Sequence, residues 1–258
     1  MAIHPSDLPF ILAEVGRVPF TGTAFAVGEE PAGLAPVIKG LGFDRVELAA
    51  DLEADIRAPA SDTAPQFDAV FDLGASMRTF HVRRALTALG RRVAVGGRVV
   101  HAVPSANHID QGFYMASPRL FHDYYCANGW RLETLMLTCP AQDGAVVEGI
   151  AYTPGSLRDV AHGGLDDRRY RVFCVATRLA VSTVGLVPQH GMYVDAWKRG
   201  AVSSGDQPPV PNPVAAWMRR TRWVYRIVNG LTGPRKKTQI RAACLTPAVR
   251  YPLRTERG

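Results

Sequence analysis

The segment Phe67–His101, FDAVFDLGASMRTFHVRRALTALGRRVAVGGRVVH, decides the fold of this chain because strand, helix and strand follow one another in it. Its first part, Phe67–Leu73, is a short apolar run of the kind that forms a buried strand. Apolar residues then recur at helical spacing over Thr79–Val93, and Gly96-Gly97 ends the predicted helix before a second strand, Arg98–Val103. This succession predicts an α/β sheet with helices on its faces.

Further elements extend the same pattern over residues 1–180. Four more apolar runs are predicted as strands: Pro9–Val15, Arg45–Ala49, Leu132–Cys139 and Tyr170–Leu179. The last of these would form a hairpin either with Val146–Tyr152 or with Leu132–Cys139. A second helix is predicted to begin at Ser117-Pro118, with serine as N-cap and proline in the first turn, and to end at Asn128-Gly129.

The net positive charge of the sequence comes from its last third. The 258 residues carry a net charge of +7, yet residues 1–180 hold 17 Lys and Arg against 20 Asp and Glu, whereas residues 181–258 hold 13 against 3. We therefore divide the chain into a domain at 1–180 and a basic extension at 181–258. The extension is predicted to contain a Pro-rich linker, a basic amphipathic helix over Asn212–Gly230 and an irregular tail.

The basic extension admits several partners. Its apolar residues need burial and its charge opposes that of the domain, which favours a lid or a contact in a homodimer. The second interpretation is that the extension binds anionic lipid, which would give peripheral membrane contact, or a phosphate-bearing substrate. The third is that its helix is only solvated. Nucleic acid is disfavoured because no nucleic-acid-binding module is recognisable.

Composition also limits the compartment and the metal chemistry. No apolar stretch is long enough to span a membrane, and the first residues lack the features of a signal peptide, so we expect a cytoplasmic protein. The four cysteines form no C-x-x-C pair, which indicates neither a zinc site nor a disulfide framework.

The segment Pro104–Tyr125, PSANHIDQGFYMASPRLFHDYY, is the most specific motif in the chain. Together with the strand, helix and glycine pair of Phe67–His101, it resembles class I S-adenosylmethionine-dependent methyltransferases. Within them it is similar to a bacterial methyltransferase-like group that is often associated with surface-polysaccharide and natural-product clusters and carries a PS-x-NH-x-D-H/Q-GFY signature. The resemblance covers residues of about 9–180 and implies a Rossmann-like methyltransferase fold, with a central, mostly parallel sheet and helices on both faces.

The resemblance also implies a set of cofactor-binding residues for S-adenosylmethionine. It places Glu14 and Gly16 in the loop after the first strand, Glu47 or Asp51 on the ribose, and Asp72 beside the methionine and adenine parts. The sequence departs from the family pattern at two points. Arg17 and Pro19 interrupt the glycine loop, and Ala75–Arg78 reads ASMR where the group has T-L-E-H.

The loop after Arg98–Val103 is the candidate acceptor site, because open α/β sheets bind ligands beyond the carboxyl ends of their strands. Five polar or aromatic residues lie within eight positions there: Asn107, His108, Asp110, Gln111 and Tyr114. We assign His108 as general base and Asp110 as the residue that orients it or binds substrate, while the other three donate or accept hydrogen bonds. The alternative is that His108 and Asp110 only satisfy backbone groups of a tight loop.

A divalent metal is disfavoured as cofactor. His108 and Asp110, with His101 or His122 near in sequence, could provide ligands, but they follow no spacing typical of a metal site.

These features favour a methyltransferase that uses S-adenosylmethionine to O-methylate a small-molecule substrate, namely a sugar or another polar metabolite, glycosylated or anionic. A non-methylating cyclase, lyase or isomerase on the same fold is the alternative, and a non-catalytic binding protein is the third hypothesis.

Overall fold

The computed structural model describes residues 7–28, 31–57, 65–140, 146–157, 165–198 and 249–252. Its helices are α1 Leu8–Arg17, α2 Pro31–Lys39, α3 Glu53–Arg57, α4 Ala75–Arg78, α5 Val82–Arg91, α6 Pro118–Ala127 and α7 Gly191–Lys198. Its strands are β1 Thr23–Val27, β2 Arg45–Ala49, β3 Phe67–Asp72, β4 Val93–Pro104, β5 Arg131–Pro140, β6 Val146–Ala151, β7 Arg171–Thr177 and β8 Val249–Pro252. The helix predicted over Asn212–Gly230 lies outside the described residues.

The chain forms two compact units. The first comprises Met1–Thr153, Asp167–Pro188 and Pro247–Gly258 and contains the whole sheet. The second comprises Pro154–Asp166 and Gln189–Thr246, and α7 is its described helix. In the part of the chain that the structure describes, no helix is both long enough and apolar enough to cross a membrane.

The described strands form one sheet in the order β2-β1-β3-β4-β7-β5-β6-β8. The first four strands in this order are parallel to one another. Strand β7 is antiparallel to both of its neighbours, and β6 and β8 continue the sheet with antiparallel pairs. The α/β fold class, a mostly parallel central sheet with helices on both faces, is confirmed.

Successive side chains of each strand point to opposite faces of the sheet. Apolar side chains are packed on both of these faces. On one face Phe71, Val100 and Phe173 belong to a core cluster with Phe10 of α1 and Leu34 of α2. On the other face α5 packs against β4, and α6 packs against β5 and β7. The connection from β1 leads to β2 on one side of the sheet, whereas the connection from β3 leads to β4 on the other side. Because both crossovers are right-handed, the helices in them, α2 and α5, lie on opposite faces.

The prediction of a strand at Pro9–Val15 is wrong, because this run is helix α1. Phe10, Ile11 and Glu14 are buried at helical spacing, and proline occupies the first turn. A short apolar run does not distinguish a strand from a buried helical turn. The first strand is instead β1, the run TAFAV, which the sequence analysis missed.

The other predicted elements are confirmed with shifted ends. Strand β2 has the predicted bounds, and Ser117 caps α6, its hydroxyl oxygen accepting a 3.2 Å hydrogen bond from the Arg119 backbone nitrogen. The helix before β4 ends at Arg91, so Gly96-Gly97 lies inside the longer strand β4 and does not end the helix. Of the two partners considered for the last run, β7 pairs with β5.

Candidate functional site

The carboxyl ends of β1 and β3 are the candidate ligand site of this sheet. Strand β1 lies between β2 and β3, and the connections from β1 and β3 run to opposite sides. In open α/β sheets, ligands bind outside the carboxyl ends of the strands at such a switch point. Two hydrogen bonds hold the three strand ends together, from the Leu73 nitrogen to the Val27 oxygen at 3.0 Å and from the Gly28 nitrogen to the Ala49 oxygen at 3.1 Å.

Gly28 is the glycine that ends the first strand. A Cβ atom at this position would lie 3.2 Å from Leu34 Cδ1 and 3.3 Å from Leu73 Cβ, so a larger residue would push α2 or the end of β3 aside. Helix α2 begins at Pro31, three positions later. This strand, glycine and helix arrangement at the switch point is typical of sites that bring backbone close to a bound cofactor.

The placement of Glu14 and Gly16 in a loop after the first strand is therefore wrong. Both residues are in helix α1. The carboxylate of Glu14 is 4% exposed and lies 3.1 Å from the guanidinium of Arg98, near the amino end of the parallel strands. Arg98 also donates to the backbone oxygens of Val18 and Pro19. The error follows from the misassigned first strand, since the glycine was sought after Pro9–Val15.

Glu47 and Asp51 lie at or beyond the end of β2. Glu47 is partly exposed within the strand and forms an ion pair with Arg45. Asp51 is exposed and follows the strand, and its Oδ1 accepts a 2.9 Å hydrogen bond from the Glu53 nitrogen at the start of α3. Asp51 is thus closer than Glu47 to the carboxyl edge, and their roles on a ribose stay predictions.

Asp72 is the buried centre of a polar chain that runs from the end of β3 to α6. Its Oδ2 lies 2.8 Å from His101 Nδ1, and His101 Nε2 lies 2.5 Å from the Tyr125 hydroxyl oxygen. Its Oδ1 accepts a 3.1 Å hydrogen bond from the Ser76 nitrogen, and Oδ2 also accepts one from the Ser76 hydroxyl. The side chains of Asp72 and His101 are fully buried.

The charge state of Asp72 is set by these contacts. Burial alone would raise the pKa of the carboxyl group, but the hydrogen bond and the charge of His101, together with the bonds from Ser76, outweigh it and hold the pKa below its ordinary value of 3.8. Burial raises the pKa of the Tyr125 hydroxyl well above its ordinary value. Asp72 is therefore a carboxylate engaged on both oxygens, and it fixes the turn into α4.

These hydrogen bonds were not predicted from the sequence. Asp72 was assigned to the cofactor, His101 only to a metal, and Ser76 to a departure from the family pattern. One signal was available in principle, because β3 and β4 are adjacent parallel strands in which Asp72 and His101 stand at paired positions. Tyr125 joins them only through the packing of α6 on the sheet.

The structure brings the five candidate acceptor residues together on the loop after β4, but several of their polar groups hold the loop itself. Asn107 donates from its side-chain amide to the Arg168 backbone oxygen at 2.7 Å. The hydroxyl of Tyr114 donates to the Phe80 backbone oxygen at 3.1 Å. His108 is 2% exposed, with Nδ1 lying 2.6 Å from Gln111 Oε1. Asp110 is exposed, and the catalytic roles of His108 and Asp110 stay predictions.

A buried ion pair lies beneath this loop. The Arg171 side chain donates from Nε to Asp7 Oδ1 at 2.9 Å and from an Nη atom to the Ala102 oxygen at 2.7 Å. Burial raises the pKa of the Asp7 carboxyl group above its ordinary value of 3.8, although Arg171 and the charge of His108 oppose the change. The start of α1 is thereby tied to β7 and β4 near His108.

Replacement of Asn107 by alanine is expected to destabilise the protein by about 1–2 kcal/mol, because alanine loses the bond to Arg168 and is disfavoured at positive φ. Asn107 has φ 66° and Asp110 has φ 68°. Urea unfolding of Asn107→Ala and Asn107→Gly separates the two contributions. Glycine tolerates the backbone angle and should lose only the hydrogen bond, so a Gly variant less stable than the Ala variant would contradict this account.

Within the described ranges, no group of three or more His, Cys, Asp or Glu residues is placed to hold a metal ion.

Comparison with solved structures finds proteins of similar fold. They include the YcgJ protein from Bacillus subtilis, which is 10% identical with a TM-score of 0.42 and matches over 67% of this chain and 98% of its own. A Burkholderia thailandensis 1,6-didemethyltoxoflavin-N1-methyltransferase with bound S-adenosylhomocysteine is 14% identical with a TM-score of 0.40, over 68% of this chain and 78% of its own. The [4+2]-cyclase SpnF is 12% identical with a TM-score of 0.40, over 68% and 81%.

No protein-family model matches the sequence, and no curated protein matches it either. The solved structures differ in activity, and at these identities none of their activities transfers to this chain. The strand order, the four parallel strands and the antiparallel β7 are observed in the chain itself. This strand order, with helices on both faces, is that of a Rossmann-like fold, and open sheets of this kind bind ligands at the carboxyl ends of their strands.

Proposed function

We propose that this protein transfers a methyl group from S-adenosylmethionine to an oxygen of a polar small molecule. The cofactor would lie at the carboxyl ends of β1 and β3, and the acceptor would lie beside the loop after β4. Methyl transfer is an in-line displacement at a sulfonium carbon, so the protein mainly has to align the two reactants.

The observation that carries the proposal is the strand, glycine and helix arrangement at Gly28. It lies at the switch point of the sheet, where the Leu73 nitrogen and the Val27 oxygen join the two strand ends that would flank the cofactor. The start of α2 faces the same edge, and its backbone N–H groups favour a carboxylate such as that of the methionine part. The motif Pro104–Tyr125 supports methyl transfer through its resemblance to the methyltransferase-like group.

Proton removal from an acceptor hydroxyl would fall to His108 and Asp110. Asp110 is the exposed member of the pair, while the ring of His108 is buried and held by Gln111. Asp72 does not contact the reactants in this proposal. It positions the turn after β3, through Ser76 and His101.

Calorimetric titration of S-adenosylmethionine and S-adenosylhomocysteine into the full chain tests the proposal. Binding in the micromolar range is the expected result. If no heat is detected at high ligand concentration, the proposal of methyl transfer is wrong, and the protein is either a non-methylating enzyme or a binding protein. Turnover of a substrate without any methyl donor would then identify it as a non-methylating enzyme.

Gly28→Ala is expected to weaken S-adenosylmethionine binding about tenfold or more, because its Cβ would displace Leu34 or Leu73 at the crevice. Gly16→Ala is the matched control, since a Cβ at Gly16 meets no atom within 4 Å. Calorimetry gives the affinities, and circular dichroism checks that both variants remain folded. Equal losses in the two variants, or a loss in Gly16→Ala alone, would place the cofactor elsewhere.

A further inference from the structure

Large apolar side chains are exposed together at the carboxyl edge of the sheet. Phe80 is 70% exposed and Phe113 is 67% exposed, although their rings are in edge contact with centroids 5.9 Å apart. The ring of Tyr114 lies 6.4 Å from that of Phe80. Ile109 and Met115, on the same loop as Phe113, are also exposed. These five residues are called the edge patch. Within it the rings of Phe113 and Tyr114 lie against that of Phe80, and a group of exposed large apolar side chains commonly marks a binding site.

The edge patch is held in place by hydrogen bonds from its backbone. The nitrogens of Phe113 and Tyr114 donate to the Met77 oxygen at 2.9 and 3.3 Å, and the Tyr114 hydroxyl donates to the Phe80 oxygen. Gly112 approaches so closely that a Cβ there would lie 2.8 Å from the Met77 oxygen. The exposed rings therefore stand on a well-anchored loop, and their exposure is not explained by a loose segment.

The edge patch borders the candidate crevice. Met77 is in α4, which begins directly after Gly74 and three positions after the end of β3. The loop returns at the end of β4, where the Ala116 nitrogen donates to the Pro104 oxygen at 2.8 Å. The patch thus spans the carboxyl ends of β3 and β4, next to the switch point between β1 and β3.

Positive charge accompanies the edge patch. The segment 73–92 contains five arginines and no acidic residue. Two of them, Arg83 and Arg84, are exposed in the first turn of α5, three and four residues after Phe80. Asp110 is the acidic residue on the patch loop itself. The Tyr114 hydroxyl is already bonded, so the aromatic part of the patch offers apolar surface rather than hydrogen bonds.

We propose that the edge patch is the acceptor subsite and takes an amphipathic small molecule, with its apolar ring or chain on Phe80 and Phe113 and an anionic group towards α5. This inference rests on the proposed function and narrows the acceptor from polar metabolites in general to amphipathic anions. Aromatic pairs of this kind bind ring faces and chains through apolar burial.

Fluorescence titration with two probes tests the subsite in the full chain. The anionic probe is 1-anilinonaphthalene-8-sulfonate, and its neutral counterpart is N-phenyl-1-naphthylamine. The double variant Phe80→Ser with Phe113→Ser should lose about tenfold in affinity for both, because the apolar surface is gone. Arg84→Ser should lose about two- to threefold for the anionic probe only, as expected of an exposed charge.

The matched control is the double variant Leu12→Ser with Val95→Ser. Both residues are exposed apolar positions outside the patch, at 49% and 60%, and their replacement should leave both affinities unchanged. Equal losses in the patch and control variants would overturn the subsite. So would co-sedimentation with phosphatidylglycerol vesicles that the patch variant loses, since the patch would then be a membrane contact.

Calorimetry with S-adenosylmethionine separates this inference from the proposed function. The patch variant should bind the cofactor as the native chain does. If the probes bind through the patch but the native chain does not bind S-adenosylmethionine, the patch is a ligand site and the proposal of methyl transfer is wrong. If the native chain binds S-adenosylmethionine but the patch variant binds the probes as tightly as the native chain does, the subsite is wrong and the proposal of methyl transfer stands.

Discussion

Asp72→Ala is expected to lower the free energy of unfolding by about 3 kcal/mol, because it removes a fully buried carboxylate that is engaged by Ser76 and His101. The variant leaves the Ser76 nitrogen and the His101 ring without their partner at a fully buried position. An unpaired polar group in the interior retains its full cost of desolvation. Urea unfolding at neutral pH, followed by circular dichroism, measures the change.

The same carboxylate predicts a pH dependence. Because the pKa of Asp72 in the folded state lies below its ordinary value of 3.8, its contribution is fully present above that value and is lost as the pH falls through the lower folded-state pKa. The native chain should therefore lose stability below about pH 4 more steeply than Asp72→Asn does. Equal slopes for the two proteins between pH 5 and pH 2 would contradict the assignment.

Tyr125→Phe provides a graded control for the chain of hydrogen bonds. It removes one hydroxyl, which lies 2.5 Å from His101 Nε2, and keeps the ring that packs α6 on the sheet. A loss of about 1 kcal/mol is expected, the usual value of one buried hydrogen bond. A loss as large as that of Asp72→Ala would mean that the Tyr125 hydroxyl contributes as much stability as the Asp72 carboxylate, which would contradict this account.

Glu14→Ala should have an effect of similar size at the opposite edge of the sheet, about 3 kcal/mol. Arg98 is 9% exposed, and burial lowers the pKa of its guanidinium while Glu14 opposes the change. Without Glu14 the cation loses its carboxylate partner and retains the oxygens of Val18 and Pro19 and the ring of Phe20, whose centroid is 3.9 Å away. Thermal and urea unfolding of the variant measure the loss.

Two further variants test the cause. Replacement of both partners, Glu14→Leu with Arg98→Met, should be less destabilising than Glu14→Ala, because no buried charge is left unpaired. Arg57→Ala removes the exposed pair between Arg57 and Glu53 and should change stability by about 0.5 kcal/mol or less. If Glu14→Ala were as mild as Arg57→Ala, the buried pair would have no structural role.

The segment Phe67–His101 shows how far local patterns reach. Its two apolar runs and the helical spacing between them correctly predicted β3, α5 and β4, because a continuous apolar run marks a strand buried on both faces and helical spacing marks one buried face of a helix. The same reasoning failed at Pro9–Val15, where a helix buries the same residue types. Because of that error the glycine after the first strand was sought at Gly16, whereas the strand that precedes such a glycine is β1, followed by Gly28.

The candidate site was predictable only in part. The sequence located the loop after β4 and its polar residues, since a ligand loop must follow a strand at the carboxyl edge. Which of those residues hold the loop, as Asn107 and Tyr114 do, depends on contacts with Arg168 and Phe80 far away in the chain. The exposure of Phe80 and Phe113 could not be predicted either, because phenylalanine in a sequence normally indicates a core position.

The sequence by itself determined the α/β class, the strands β2 to β5 and β7 apart from their ends, the cap of α6 and the loop that carries the acceptor candidates. These features depend on residues that are near one another along the chain. Only the tertiary structure decided the strand order, the position of Gly28 between the ends of the neighbouring strands, the buried hydrogen bonds from Asp72 to Tyr125 and the edge patch. Each of these joins segments whose proximity arises from the packing of the whole sheet, and local propensity carries no information about such contacts.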